Sequence, residues 1–313
     1  MNTVSTSAAP TAGSSAAYRE LGAKHATQPG LQPGIQPGLE SATHPGKGAR
    51  PTLHALAAAC GARILALAAG LVLPLLLLGL WQYAVERHWL AEQILPPPAL
   101  VRDSLVELWQ NGDLTANLAI SLKRLGWSLL IGGGSGLLLG IAMGISPAVK
   151  AYVYPSFQLA AQFPVIGWVP LLIIFAGIGE ALKVSAISIA VVVPVAVNTY
   201  QGIRNIPRAL LEVAAVYRFG MGQTIRRLVL PAAAGGIFSG LRQGVMQGWL
   251  ALVFVELLAS SEGIGYLMVW GRQLLQLDIV VVGMLVIGTV GIVLDRLLAW
   301  GEARLQGWQR RAF

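Results

Sequence analysis

Apolar residues run along this chain in blocks of about twenty, the length a helix needs to cross the hydrocarbon core of a bilayer. Ile64 to Val85 carries no charge, and its one proline, Pro74, is tolerable in a membrane helix. Leu125 to Val149 and Val184 to Ile203 are likewise uncharged. Ala151 to Gly179 is uncharged too, but Pro155, Pro164 and Pro170 predict an irregular or broken helix there. Ala232 to Leu258 is apolar apart from Arg242 and Glu256. Ile279 to Leu294 is shorter and extends toward Trp300, with Asp295 and Arg296 near one interface. The pattern predicts an all-α polytopic membrane protein with six transmembrane helices. Between the first two blocks, Pro96-Pro97-Pro98 stops any helix. After it, Leu100, Val101, Leu105, Val106, Leu108 and Trp109 alternate with Arg102, Asp103 and Glu107 at helical spacing. That amphipathic helix either lies on the membrane surface or packs on the outer side of the bundle.

The first sixty residues follow no such pattern. They are rich in Ala, Ser, Thr, Pro and Gly and repeat Gln28-Pro29-Gly30, Gln32-Pro33-Gly34 and Gln36-Pro37-Gly38. A tract of that kind buries too little apolar surface to fold, so residues 1–60 are expected to form a disordered cytoplasmic tail ahead of a transmembrane domain over residues 61–313. The first apolar run starts too late for a secretory signal.

Composition agrees with the span pattern: of 313 residues, 55% are hydrophobic and only 12% charged. The single cysteine, Cys60, excludes an internal disulfide framework, and the histidines His25, His44, His54 and His88 form no metal-ligand spacing. The net charge of +8 does not point to nucleic acid, because the cations collect at the ends of apolar blocks. With the tail in the cytoplasm, the inner segments after it hold Lys150, Arg204, Arg208, Arg218, Arg226, Arg227, Arg296, Arg304, Arg310 and Arg311. The outer segments hold only Arg87, Arg102, Lys183 and Arg272. Both termini are therefore expected inside, in a multi-pass membrane protein.

Polar groups inside the apolar blocks are the functional candidates. Arg242, followed by Gln243 and Gln247, could line an aqueous path for an anion or pair with a neighbouring carbonyl or a partner subunit. Gln158, Gln162, Trp168 and Asn198 are further candidates for such a path. Lys123 and Arg124, at the outer end of the second span, are expected to snorkel to water, and Glu180 and Glu256 to sit near the outer interface. Gly132, Gly136, Gly140 and Gly144 recur every four residues, as do Gly236, Gly240, Gly244 and Gly248. Such ladders give smooth helix faces for close approach. The GGGSG run at Gly132 is no phosphate loop, since no Lys-Ser or Lys-Thr follows it. No nucleotide-binding motif is present, and no cofactor or metal is expected.

One charged stretch interrupts the late apolar blocks: LEVAAVYRFGMGQTIRRLVLP, Leu211 to Pro231, within a loop of about residues 204–231. Leu210 to Val216 suits a helix, Gly220 and Gly222 permit a sharp turn, Thr224 to Leu230 can resume as a second short helix, and Pro231 would break it. Ala214 and Ala215 would offer another protein a small surface to approach. Physics alone leaves two readings open: a protrusion that transmits displacement, or a connector on the inner leaflet with Arg226 and Arg227 touching headgroups.

The stretch resembles the EAA loop of permease subunits of ABC importers, a pattern of Glu-Ala-Ala, then Gly, then an apolar-x-Leu-Pro ending. Glu212, Ala214, Leu228, Leu230 and Pro231 fall in register, while Val213 replaces the first Ala. Arg218 stands where the family usually has Gly, which leaves Gly220 as the candidate for the turn. PVIGWVPLLIIFAGIGEALKV (Pro164 to Val184), the segment Arg272 to Leu298 and ILPPP before the second span resemble the sulfonate, taurine and nitrate branch of these permeases. The resemblance implies a type I ABC importer permease fold and a homodimeric, alternating-access pore for a small anion in a bacterial inner membrane. It implies a periplasmic substrate-binding protein on one side and two ATPase subunits on the other, each docking the loop through Glu212, Ala214, Ala215, Gly220, Leu228, Leu230 and Pro231. The competing reading is a secondary transporter or channel with Arg242 as anion site and no ATPase. An intramembrane enzyme is disfavoured, since the spans hold no paired carboxylates, histidine cluster or nucleophile constellation.

Overall fold

The computed structural model describes residues 70, 72–89, 91 and 94–312. The tail predicted over residues 1–60 and most of the start of the first span lie outside them. Helix α1, Val72–Glu86, is the described part of that span. Within it, the Trp81 indole N–H donates at 3.1 Å to the carbonyl of Pro96, which lies past the helix end. Helix α2, Pro98–Gln110, begins with proline in its first turn, where a missing N–H costs no hydrogen bond. Gly112, at φ 83°, turns the chain into α3, Asp113–Ser128.

Helix α3 passes through one widened π turn, Leu129–Gly133, into α4, Gly134–Ile145. Together they form an apolar span of 33 residues. Helix α5, Pro147–Ala161, is capped by Ser146, whose hydroxyl accepts from the Val149 N–H at 3.3 Å. Helix α6, Val165–Ala176, follows at 99° to it. The prolines predicted a broken third span, and the break falls before Pro164, which pushes its predecessor out of the helical region. Helix α7, Glu180–Arg204, is the fourth span. The loop contains α8, Arg208–Val216, and α9, Met221–Thr224. A second π turn, Ile225–Val229, then leads into α10, Leu230–Ala259. Helices α11, Ile264–Gln273, and α12, Leu277–Ala312, close the chain. Among the described residues four helices are long and apolar enough to cross a membrane, five if the bent α5–α6 pair counts as one span.

Helix α7 is the axis of the molecule. Leu182, Ala186, Ile187, Val191 and Ala196 on it are almost wholly buried. The two glycine ladders grip it from different sides. A Cβ on Gly132 would lie 2.5 Å from the Ser188 carbonyl oxygen, and one on Gly136 2.8 Å from that of Val192. On α10, a Cβ on Gly240 would meet Asn198 Cβ at 2.8 Å, and one on Gly244 would meet Val195 Cγ2 at 2.9 Å. Each ladder lets its helix backbone touch α7, the close approach that small residues permit.

A second core ties α2 and the start of α3 to α11 and α12 through Val101, Leu108, Leu114, Ile264, Leu267 and Val282. Of the two readings for α2, packing on the bundle is the one observed. Ser104 also donates to Asp278 Oδ2 at 2.5 Å. Its other face, with Leu100, Val106 and Trp109, stays exposed.

Pro231 does not end a helix, contrary to expectation. The chain is helical from Met221 through to Ala259, and Pro231 sits in the first turn after the widened segment. Proline removes an N–H and its ring crowds the carbonyl four residues back. A π turn placed immediately before it shifts the hydrogen-bond register, so the helix continues past the ring.

Candidate functional site

The loop closes α8 with a Schellman turn. The Phe219 N–H donates to the Ala214 carbonyl at 3.0 Å and the Arg218 N–H to that of Ala215 at 3.0 Å. Arg218 takes the left-handed conformation, φ 51°, whereas Gly220 is extended at φ −65°. The turn expected at Gly220 is therefore made by Arg218 itself, at the position where the resemblance has glycine. Ala214 faces inward and is buried, so only Ala215 of the alanine pair is on the surface. Glu212 is exposed and makes no ion pair among the described residues. Around it Leu211, Val213, Val216, Tyr217 and Met221 are exposed apolar side chains, a surface suited to contact rather than to solvation. Leu228 and Leu230 are half-buried, either side of buried Val229.

Asn198, Gln243 and Gln247 meet in one place. They line a cavity of about 370 Å³ between α7, α10 and the α5–α6 break, walled by Phe163, Pro164 and Pro194. Asn198 Nδ2 donates to the Pro194 carbonyl at 2.8 Å and to Gln243 Oε1 at 2.9 Å. Asn198 also lines a second cavity, about 610 Å³, shared with Gln201, Asn205, Ser239 and Gly236. The two cavities thus adjoin at Asn198 and form a track of neutral amides and a hydroxyl, with no charged side chain on either lining. Gln158, Gln162 and Trp168 do not join it. The two glutamines are exposed on or just past α5. The Trp168 indole N–H is buried without a partner among the described residues, and its ring meets Phe163 edge-on at 6.1 Å.

Arg242 turns away from this track. It binds Asp295 at 2.7 Å and Glu302 at 2.9 Å on α12. Ser239 donates to the same Glu302 at 2.6 Å. The two carboxylates lie seven residues apart, on one face of α12, and neutralise the cation where it stands. That spacing was a readable clue to a partner for Arg242.

At the other end of the bundle the expected snorkelling is overturned. Arg124 is only 2% exposed and Glu256 1%. Arg124 binds Glu256 at 2.8 Å, Glu180 at 2.6 Å and the Glu262 carbonyl at 2.7 Å. Lys183 adds a bond to Glu180 at 2.8 Å. Glu256 also accepts from the Ser121 hydroxyl at 2.8 Å and from the Gly265 N–H at 3.0 Å, at the start of α11. Every polar atom of this buried pair is met, the condition for a charge to survive out of water. The network joins α3, α7, α10 and α11, a structural staple in which Arg124 itself bonds a residue 138 positions away.

Several apolar spans, an exposed helical loop at one end and an uncharged polar track between α7 and α10 define a membrane transport subunit. The family match and the sequence relatives agree. Residues 136–307 match the family model described as binding-protein-dependent transport system inner membrane component, and the chain belongs to that family. It is 34% identical to the putative aliphatic sulfonates transport permease protein SsuC of Bacillus subtilis (strain 168), over 77% of this chain and 87% of that one. It is 30% identical to the taurine transport system permease protein TauC of Escherichia coli (strain K12), over 74% and 86%. Among solved structures it is similar to the MetNI methionine ABC transporter in an inward-facing conformation, at TM-score 0.44 and 16% identity, covering 58% of this chain and 90% of that one.

Proposed function

We propose that this chain forms the membrane pathway of an ATP-driven importer for aliphatic sulfonates or taurine, with nitrate- or bicarbonate-type anions the next candidates. The observation that carries the reading is the identity shared with the sulfonate and taurine permeases over about three quarters of the chain. The chemistry of the track supports it. A sulfonate is a weakly basic monoanion with three acceptor oxygens. Amide N–H donors on Gln243 and Gln247 can meet those oxygens without a fixed cation. A path that bound the anion by full charge would release it slowly, and passage needs binding that is favourable yet weak.

In this reading, which the cation distribution supports, the loop from Arg208 to Pro231 faces the cytoplasm and docks on separate ATPase subunits. A binding protein delivers solute at the opposite end, and a second copy of the chain completes the pore. Alternating access follows if ATP-driven closure stabilises one of two arrangements of α7 and α10 over the other. The test is reconstitution with the cognate ATPase and binding protein, measuring ATPase stimulation and uptake across taurine, alkanesulfonates, nitrate and bicarbonate. Taurine or alkanesulfonates should stimulate both. Stimulation by nitrate or bicarbonate alone would reassign the solute, and uptake without any ATPase would reject the importer.

A further inference from the structure

At the end of the bundle that carries the loop, α4 turns into α5 and α7 stops. Between them lies a cavity of about 410 Å³ lined by Met143, Ile145, Lys150, Ala151, Tyr154 and Arg204. Neither Lys150 nor Arg204 has a carboxylate in ion-pair range among the described residues. Lys150 Nζ stands 5.8 Å from the centre of the Tyr200 ring, which is tilted against Tyr154 at 5.0 Å. Ile145 ends one apolar span and Arg204 ends another, so the cavity lies where hydrocarbon gives way to headgroups. Two cations and a tyrosine pair sit at that depth, beside an accessible apolar wall of Ile145, Pro147, Ala151 and Pro155. A soluble anion would use the cations and leave the wall bare. An anionic phospholipid uses both, since its phosphate meets Lys150 and Arg204 while an acyl chain covers the apolar side. The neighbouring face of α5 is suited to lipid, with Tyr152 82% and Leu159 70% exposed.

We infer that this cavity holds the headgroup of one anionic phospholipid, which ties the α4–α5 turn to the end of α7 beside the loop. The inference rests on the chain spanning a membrane and is independent of which solute is carried. It is tested by native mass spectrometry of the purified full-length permease, titrated with phosphatidylglycerol, phosphatidylcholine and inorganic phosphate. One phosphatidylglycerol per chain should be retained in preference to phosphatidylcholine. Retention should weaken roughly 30-fold in the double variant Lys150→Gln/Arg204→Gln, with inorganic phosphate unable to displace the lipid. Equal retention of the two lipids by the wild-type chain, or unchanged phosphatidylglycerol binding in the double variant, would overturn it. Displacement by inorganic phosphate would assign the cations to a soluble anion and overturn the lipid assignment. The wild-type comparison of the two lipids decides the matter even if the double variant does not fold. Transport of a different solute would leave these readouts unmoved.

Discussion

Arg218 holds a backbone conformation that an L side chain enters at a cost of about 1–2 kcal/mol. Both bonds of the Schellman turn are made, so the surrounding helix end imposes the conformation on arginine. Replacing Arg218 with glycine should therefore firm the turn by about 1 kcal/mol, read as slower hydrogen exchange at the Phe219 amide. Gly220→Ala should be near neutral, because Gly220 is at ordinary φ and a Cβ there meets open space. A destabilised loop in Gly220→Ala would place the turn wrongly. A second residue-scale prediction concerns Glu256. Glu256→Ala leaves Arg124 buried with its one buried carboxylate partner gone and only the exposed Glu180 to pair it, and should cost about 3–5 kcal/mol, seen as a large drop in thermal unfolding temperature. Arg102→Ala, which breaks an exposed pair, should cost no more than about 1 kcal/mol. Equal shifts in the two variants would show that the Arg124 network is not a staple. The sequence marked Arg124 as a charge near a span end, which is the pattern of a snorkelling residue. Its partners Glu180 and Glu256 lie 56 and 132 residues away, and nothing local in the chain announces them.

At the scale of elements, the sheath of glycines around α7 is what sets helix spacing. Gly140 faces Thr199 and the Ala196 carbonyl, with a Cβ position 2.6 Å from Thr199 Cβ. Gly140→Leu must push α4 off α7, and overpacking of this kind costs about 1–3 kcal/mol or more. Gly126→Ala, on the same continuous helix but in open space, should be neutral or slightly stabilising. Thermal unfolding of the two variants separates a packing contact from a helix-propensity effect, and a neutral Gly140→Leu would remove the packing role. The four-residue period of each ladder was legible in the sequence, because it depends only on the helical repeat. The helix that both ladders grip was not, since any span could have filled the groove. The spans themselves and the broken third one were legible from apolar run length and proline position. The π turns were not, since a hydrogen-bond register shift leaves no compositional mark. The amides of the track were legible one by one as polar residues in apolar blocks. Only the fold could separate Asn198, Gln243 and Gln247, which meet, from Gln158, Gln162 and Trp168, which do not.

Over the whole molecule, the second half of the loop and the track are parts of one rod. The helix runs from Met221 through the π turn into α10, and α10 carries Gln243, whose amide oxygen accepts from Asn198 on α7. A force that reaches Met221, past the turn at Arg218, is thus carried to the junction of the two cavities along continuous helix. If the loop docks on an ATPase as proposed, stiffness in Ile225–Val229 is what links hydrolysis to movement of the track. Arg226 and Arg227 are exposed within that π turn, so they can be changed without touching the core. Arg226→Ala/Arg227→Ala removes both charges but keeps good helix formers. Arg226→Gly/Arg227→Gly removes the same charges and adds about 1 kcal/mol of helix cost per site relative to alanine. In the reconstituted complex the glycine pair should hydrolyse ATP normally while solute moved per ATP falls severalfold, and the alanine pair should stay close to the parent ratio. Equal loss in both pairs would mean that the arginines act through charge, at the headgroups or on the partner. Equal retention would mean that the rod is not the route by which the loop drives the track.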